Sequence, residues 1–186
     1  MPTSDIRLIS NGDSVLVVVD MQERIIPKIS DKHTVISNAV TLIKSAEILD
    51  IPIIITEQYP KGLGPTIPEI KNLIVLWQPI DKICFSCFGS SDFSKKLKEL
   101  KRDKLILCGI ESHVCITQTA LDGLKLNYSV FFVKDAISSR TNNNREIGFE
   151  RMSQAGAIPV STEMSVFELL KKAGTDKFKK IASIIR

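Results

Sequence analysis

The chain has no long hydrophobic run: its longest apolar stretch, SVLVVVDM, meets a charge after too few residues to cross a bilayer. Its N-terminus, MPTSDIRLISNGDS, lacks the apolar segment of a secretory leader, so neither membrane nor export is expected. Histidine is scarce, with His33 and His113 far apart, and the four cysteines offer a single CxxC pair. A structural zinc site therefore lacks ligands. No glycine-rich turn follows the first apolar run, which continues as DMQERI, and this excludes a dinucleotide fingerprint. Repeats and low-complexity linkers are absent too, so 186 residues predict one domain over the whole chain, 1–186.

What is present is ordinary for a soluble folded protein, with 44% hydrophobic and 25% charged residues. The net charge is only +4, and much of the excess sits in KKAGTDKFKK near the C-terminus, interleaved with Asp176 and Phe178. That pattern reads as a solvated helix face, so no nucleic-acid partner is expected. Four cysteines without a leader point to reduced thiols and a cytoplasmic protein.

Three runs read as buried parallel strands because they are short, β-branched and free of polar alternation: 14–19, 51–56 and 104–109. A fourth is NYSVFFV (127–133), and weaker candidates are LIVLWQP (73–79) and AIPVS (157–161). Between them, apolar residues at spacings of three and four, such as Val35, Ala39, Leu42, Ile43 and Ala46, predict helices. Others are 90–100, 115–126 and 144–156, the last ending on a capping glycine. Alternating strands and helices imply an α/β fold with a parallel sheet covered on both faces. The longest irregular segment, EQYPKGLGPTIPEI (57–70), follows a strand end and is a candidate pocket wall or oligomer contact.

Asp20 comes directly after the first apolar run, which places its charge at the carboxyl edge of the sheet. A carboxylate there is paired, used, or a helix N-cap. Cys115 lies six residues past Gly109 and near the start of a helix, where unpaired N–H groups favour a thiolate. Cys108, inside its strand, reads as a small buried hydrophobe. His113 is a tempting base for Cys115, yet helical geometry points the two apart; a turn leaves the pairing open. Lys82 follows the third strand candidate, and could meet Asp20 and Cys115 at the same edge or be a solvated surface lysine. Cys84 and Cys87 form CFSC, a possible dithiol redox pair.

In order along the chain, VLVVVDMQ (15–22), the lysine of DKICFSCF (81–88) and LCGIESHVCITQTALDGL (107–124) resemble the isochorismatase-like cysteine hydrolases. TEQYPKGLGPTIPE (56–69) and DAISSR (135–140) are similar to the branch of isochorismatase domain-containing proteins. The resemblance implies a three-layer αβα sandwich with a six-stranded parallel sheet of order 3-2-1-4-5-6, and a catalytic triad of Asp20, Lys82 and Cys115. It also implies a cis peptide between Ile110 and Glu111, with the N–H groups of Glu111 and Cys115 forming an oxyanion hole. The implied chemistry is acyl transfer through a thioester, with Asp20 as the base and Lys82 as the positive charge that keeps Asp20 and the thiolate ionised.

EQYPKG stands where the nicotinamidase branch carries metal-holding residues, so no metal and no cofactor is expected, and the cysteine favours an amide, carbamoyl or related carbonyl substrate. A small pocket lined by Tyr59, Phe85 and Phe88 follows from the same placement, with Gln22 behind Asp20. Family members commonly form homo-oligomers, which is the expectation here. Two other readings stay open: a fold-retaining binding protein with weak catalysis, and a redox protein using Cys84 and Cys87.

Overall fold

The computed structural model describes residues 8–185. Six strands form one sheet: β1 (Ser14–Val19), β2 (Ile53–Gln58), β3 (Ile80–Lys82), β4 (Lys104–Ile110), β5 (Ser129–Ser138) and β6 (Ile158–Val160). Every pairing is parallel and the order is β3-β2-β1-β4-β5-β6, as expected. The apolar runs of β1 and β4 are buried because both sheet faces are covered. One apolar layer packs the sheet against α1 (Lys32–Ile48), α7 (Thr162–Leu170) and α8 (Asp176–Ala182). The other packs it against α4 (Ser91–Leu100), α5 (Thr117–Lys125) and α6 (Asn142–Gln154).

The expected strand at 73–79 is not formed. Val75 and Leu76 are exposed in a loop, and Pro79, which has no N–H to give a ladder, separates them from the three-residue edge strand β3. The segment 57–70 is also more ordered than expected: β2 runs to Gln58, and two single-turn helices follow, α2 (Pro60–Leu63) and α3 (Pro68–Lys71). In α6 the Thr141 hydroxyl caps the first turn by accepting from Asn144 N–H, and Gly156 (φ 100) follows the last. Near the C-terminus, Lys177, Lys179 and Lys180 lie on α8, with Lys177 paired to Asp50.

The sheet's order reverses between β1 and β4, and there the two strands are pressed together. Gly109 has φ 111, and a Cβ on it would lie 2.1 Å from the Val19 carbonyl oxygen. Only glycine fits this approach. It leaves the ends of β1 and β4 side by side at a crevice of the kind in which open α/β sheets hold ligands.

Candidate active site

Three side chains converge at that crevice. Asp20 follows β1 with its backbone in the left-handed region (φ 54) and its N–H bonded to the Thr56 carbonyl at 3.1 Å. A non-glycine residue there is uncommon and turns the chain sharply at the strand end. The carboxylate is buried and held at both oxygens: Oδ1 accepts from Thr56 Oγ1 and Oδ2 from Lys82 Nζ, each at 2.7 Å.

Lys82 ends β3, which is separated from β1 by β2, so a long side chain is needed to reach Asp20. Its ammonium also donates to Gln58 Oε1 at 2.7 Å and to the Phe85 carbonyl at 3.0 Å. Burial is the largest single influence and works against this charge, but Asp20 together with Cys115 and Cys87 outweighs it and raises the lysine's pKa.

Cys115 sits in a π-helical turn, Ser112–Ile116, between β4 and α5, and its thiol is buried. Burial, then the charge of Asp20, pushes the thiol well above its usual range, and the opposing pull of Lys82 does not reverse this. The proton therefore rests on sulfur. This departs from the expectation of a thiolate favoured by a helix N-terminus and kept ionised by Lys82: burial and the neighbouring carboxylate raise the thiol by more than the ammonium lowers it. His113 lies in the same turn and bonds Ser139 Oγ through Nδ1 at 3.0 Å, so it is engaged away from Cys115.

Asp20 and Cys115 line a cavity of about 140 Å³ together with Gln58 and Glu111, and Ile25, Leu63, Phe85, Ile110 and Val114 supply its apolar walls. The Ile110–Glu111 peptide is cis. The Glu111 N–H makes no hydrogen bond among the described residues, while Glu111 Oε1 accepts from the N–H and Nε of Arg140 at 3.0 Å.

Of the three residues expected to line the pocket, Phe85 does and Tyr59 and Phe88 do not. Gln22 is buried and clamps backbone: Nε2 donates to the carbonyls of Gln58 and Gly64, and Oε1 accepts from Gln58 N–H. Its side chain holds the end of β2 and the Gly64 carbonyl rather than the Asp20 carboxylate, while its backbone N–H donates to the Asp20 carbonyl at 2.8 Å. Tyr59, half exposed at φ 39, packs its ring against Gly62. Phe88 turns into the core against Phe93, edge-on at 5.2 Å.

Thr56 and Gln58 were not singled out from the sequence. They stand two apart on β2, so they share one face of the strand, and the signal for them was period-two spacing next to the first strand. Among the described residues no three His, Cys, Asp or Glu side chains cluster as a metal site would need. Glu57 is held elsewhere, by the N–H and hydroxyl of Thr66.

The isochorismatase domain model matches residues 14–164. The chain belongs to the isochorismatase domain family. Isochorismatase domain-containing protein 2A of Mus musculus is 38% identical over 93% of this chain and 82% of its own length. A solved structure of MAR1 ribonuclease from Caenorhabditis elegans superposes with a TM-score of 0.90 at 39% identity, covering 96% of this chain and 92% of that one. The YcaC protein of Escherichia coli, described as an octameric hydrolase of unknown specificity, shares the fold with a TM-score of 0.91 at 24% identity, over 98% and 92% of the two chains. In this isochorismatase domain the matched segment runs from the first residue of β1 to α7, and so takes in Asp20, Lys82 and Cys115. No described helix is long and apolar enough to cross a membrane.

Proposed function

We propose that this isochorismatase-domain protein is a cysteine-dependent hydrolase of small amides, carbamoyl compounds or related carbonyls, acting through a thioester without a metal. The observation that carries the reading is the placement of the Cys115 thiol and the Asp20 carboxylate on one small cavity, with Asp20 anchored by Lys82. Asp20 accepts the proton from Cys115 Sγ as sulfur attacks the carbonyl carbon. Because the proton rests on sulfur, transfer accompanies attack rather than preceding it. The N–H groups of Glu111 and Cys115 receive the developing oxyanion, and the unbonded Glu111 N–H is available for this role. The tetrahedral adduct collapses as Asp20 returns the proton to the departing amine or alcohol. Water, deprotonated by Asp20, then cleaves the thioester, and the proton goes back to sulfur.

The cavity's size favours a small substrate, since about 140 Å³ is below the roughly 300–1,000 Å³ typical of sites for drug-sized ligands. A panel of small amides, carbamates and acyl esters, assayed with wild type and Cys115→Ala, tests the reading. Hydrolysis of at least one panel member, lost in the variant, is expected; turnover of that compound surviving in the variant would overturn it.

The ribonuclease name of the Caenorhabditis relative favours a second reading, RNA cleavage. The small apolar-walled cavity weighs against a nucleotide at this site. Incubation with a labelled RNA separates the two, because Cys115-dependent RNA cleavage would support ribonuclease action over amide hydrolysis. We further read the protein as a cytoplasmic homo-oligomer. Four free thiols suit a reducing compartment, and the octamer of the YcaC neighbour together with exposed Val75 and Leu76 supports self-association.

A further inference from the structure

Lys82 has three ammonium protons, and three close acceptors surround it: Asp20 Oδ2, Gln58 Oε1 and the Phe85 carbonyl, at 2.7, 2.7 and 3.0 Å. The Cys84 carbonyl, at 3.5 Å, is a distant fourth. With every proton taken, the ammonium has none to spare for a substrate. Its contribution is a charge held at a fixed place, and whatever fixes that place controls the site. Asp20 cannot do so alone, because it must also exchange a proton with Cys115 during each turnover.

We infer that Gln58 is a positioning residue of the reaction: its neutral amide holds the Lys82 ammonium in place beside Asp20 and Cys115. The inference rests on the hydrolase reading above. Gln58 pairs with Lys82 across the β2–β3 ladder, so the two side chains emerge as neighbours. Its amide orientation is set from both ends, with Oε1 toward Lys82 and Nε2 donating to the Ile83 carbonyl at 2.7 Å. Its backbone is set as well, since Gln22 accepts from its N–H at 2.8 Å and donates to its carbonyl at 3.1 Å. Gln22 thus acts one layer back, through Gln58.

Neutrality of the acceptor matters. Asp20 and Lys82 cancel, which leaves one buried thiol that must lose its proton as the substrate is attacked. A carboxylate in place of the Gln58 amide would preserve the hydrogen bond to Lys82 but add a negative charge near sulfur, opposing that loss. Glutamine is the isostere that supplies the contact without the charge.

The test needs no known substrate. Iodoacetamide alkylation at Cys115, resolved from Cys84 by peptide mass, is followed against pH in wild type, Gln58→Met, Gln58→Glu, Lys82→Met and the Gln58/Lys82 double methionine variant. Gln58→Met is expected to slow alkylation at pH 8 by about tenfold, the loss of one hydrogen bond to a charged group, and to displace the rising limb of the rate–pH profile, between about pH 7 and 9, upward. Gln58→Glu displaces that limb upward too. In the Lys82→Met background, Gln58→Met is expected to add nothing, because it acts through the ammonium.

Lower melting temperatures with an unchanged rate–pH profile would mean that Gln58 only supports the fold, and full additivity of the two methionine changes would mean that it does not act through Lys82. Either result overturns the inference. If Lys82→Met does not fold, the profiles of the two Gln58 single variants decide. The hydrolase reading fails separately, by amide turnover that survives Cys115→Ala, and that outcome is independent of these profiles.

Discussion

Cys115 and Cys87 are two buried thiols in the field of the same carboxylate and the same ammonium. Both are pushed up, Cys87 to about 11 and Cys115 further, by burial first and the Asp20 charge second. Ease of ionisation therefore does not single out Cys115. Access does: Cys115 lines the cavity, whereas Cys87 is enclosed by the aromatic and aliphatic side chains of the β1–β4 face. Cys87 sits where Thr119 Oγ1 accepts from its N–H and Thr56 lies 3.9 Å from its sulfur. A nucleophile here is defined by which thiol has both a base and room for a carbonyl.

The sharpest way to break this contrast is to remove each thiol in turn. Cys115→Ala is expected to lower amide turnover by on the order of 10⁶-fold, as losing the nucleophile of a triad does. Cys87→Ala should leave turnover within a few-fold and instead cost stability of about 1 kcal/mol for the lost burial. Equal losses of activity in steady-state assays would erase the distinction. The next largest effect addresses what the thiols share. Lys82→Met strands the Asp20 carboxylate, and breaking one side of a buried pair costs about 3–5 kcal/mol, read as a lower denaturation midpoint in urea. Breaking the more open pair with Arg140→Met should cost clearly less, since that guanidinium side chain is 55% exposed.

The central strands were legible because β1 and β4 carry nearly continuous apolar runs, as a parallel sheet covered on both faces demands. The edge strand was not: Ile80–Lys82 is three residues long and carries no hydrophobic signature, while the apolar run before it is a surface loop. At the site, Asp20 and Cys115 could be named because each follows a strand, and Lys82 by its resemblance to the family's lysine motif. Thr56 and Gln58 could not, since their roles depend on pairings such as Val19 with Thr56 and Gln58 with Lys82. Phe85 and Phe88 show the same limit on a finer scale. Three residues apart, Phe85 lies before the single turn Cys87–Gly89 and lines the cavity, while Phe88 lies within it and turns into the core.

Alkaline pH sharpens the comparison by asking what burial does without catalysis. Cys108 is pushed to about 12 by burial alone, and Cys87 to about 11, from an ordinary value of 9.0. The folded state holds these protons more tightly than the unfolded chain, so their stabilisation is full below pH 9 and lost as pH climbs through 11 and 12. Lys82, raised above 10.5, adds in the same direction. Between pH 9 and 11 each thiol should remove about 1.4 kcal/mol per pH unit, seen as a steep fall in melting temperature. Cys108→Ala should make that fall shallower, while a flat melting temperature across this range would contradict the burial of these thiols.

The smallest expected effect bears most directly on access. Leu63 forms one apolar wall of the cavity from α2, and its backbone is tied down independently: its carbonyl accepts from Arg24 N–H at 3.0 Å and its N–H donates to the Tyr59 carbonyl at 3.0 Å. Leu63→Ala should therefore widen the cavity without moving Asp20 or Cys115. If room around the thiol is what selects Cys115, kcat/KM for amides with longer acyl chains should rise by up to roughly tenfold relative to acetamide, the worth of a methylene or two in an apolar pocket. Because the charges around the sulfur are unchanged, the pH dependence of the reaction should stay where it is. A preference that does not move would place the acyl group elsewhere, and access would then no longer separate Cys115 from Cys87.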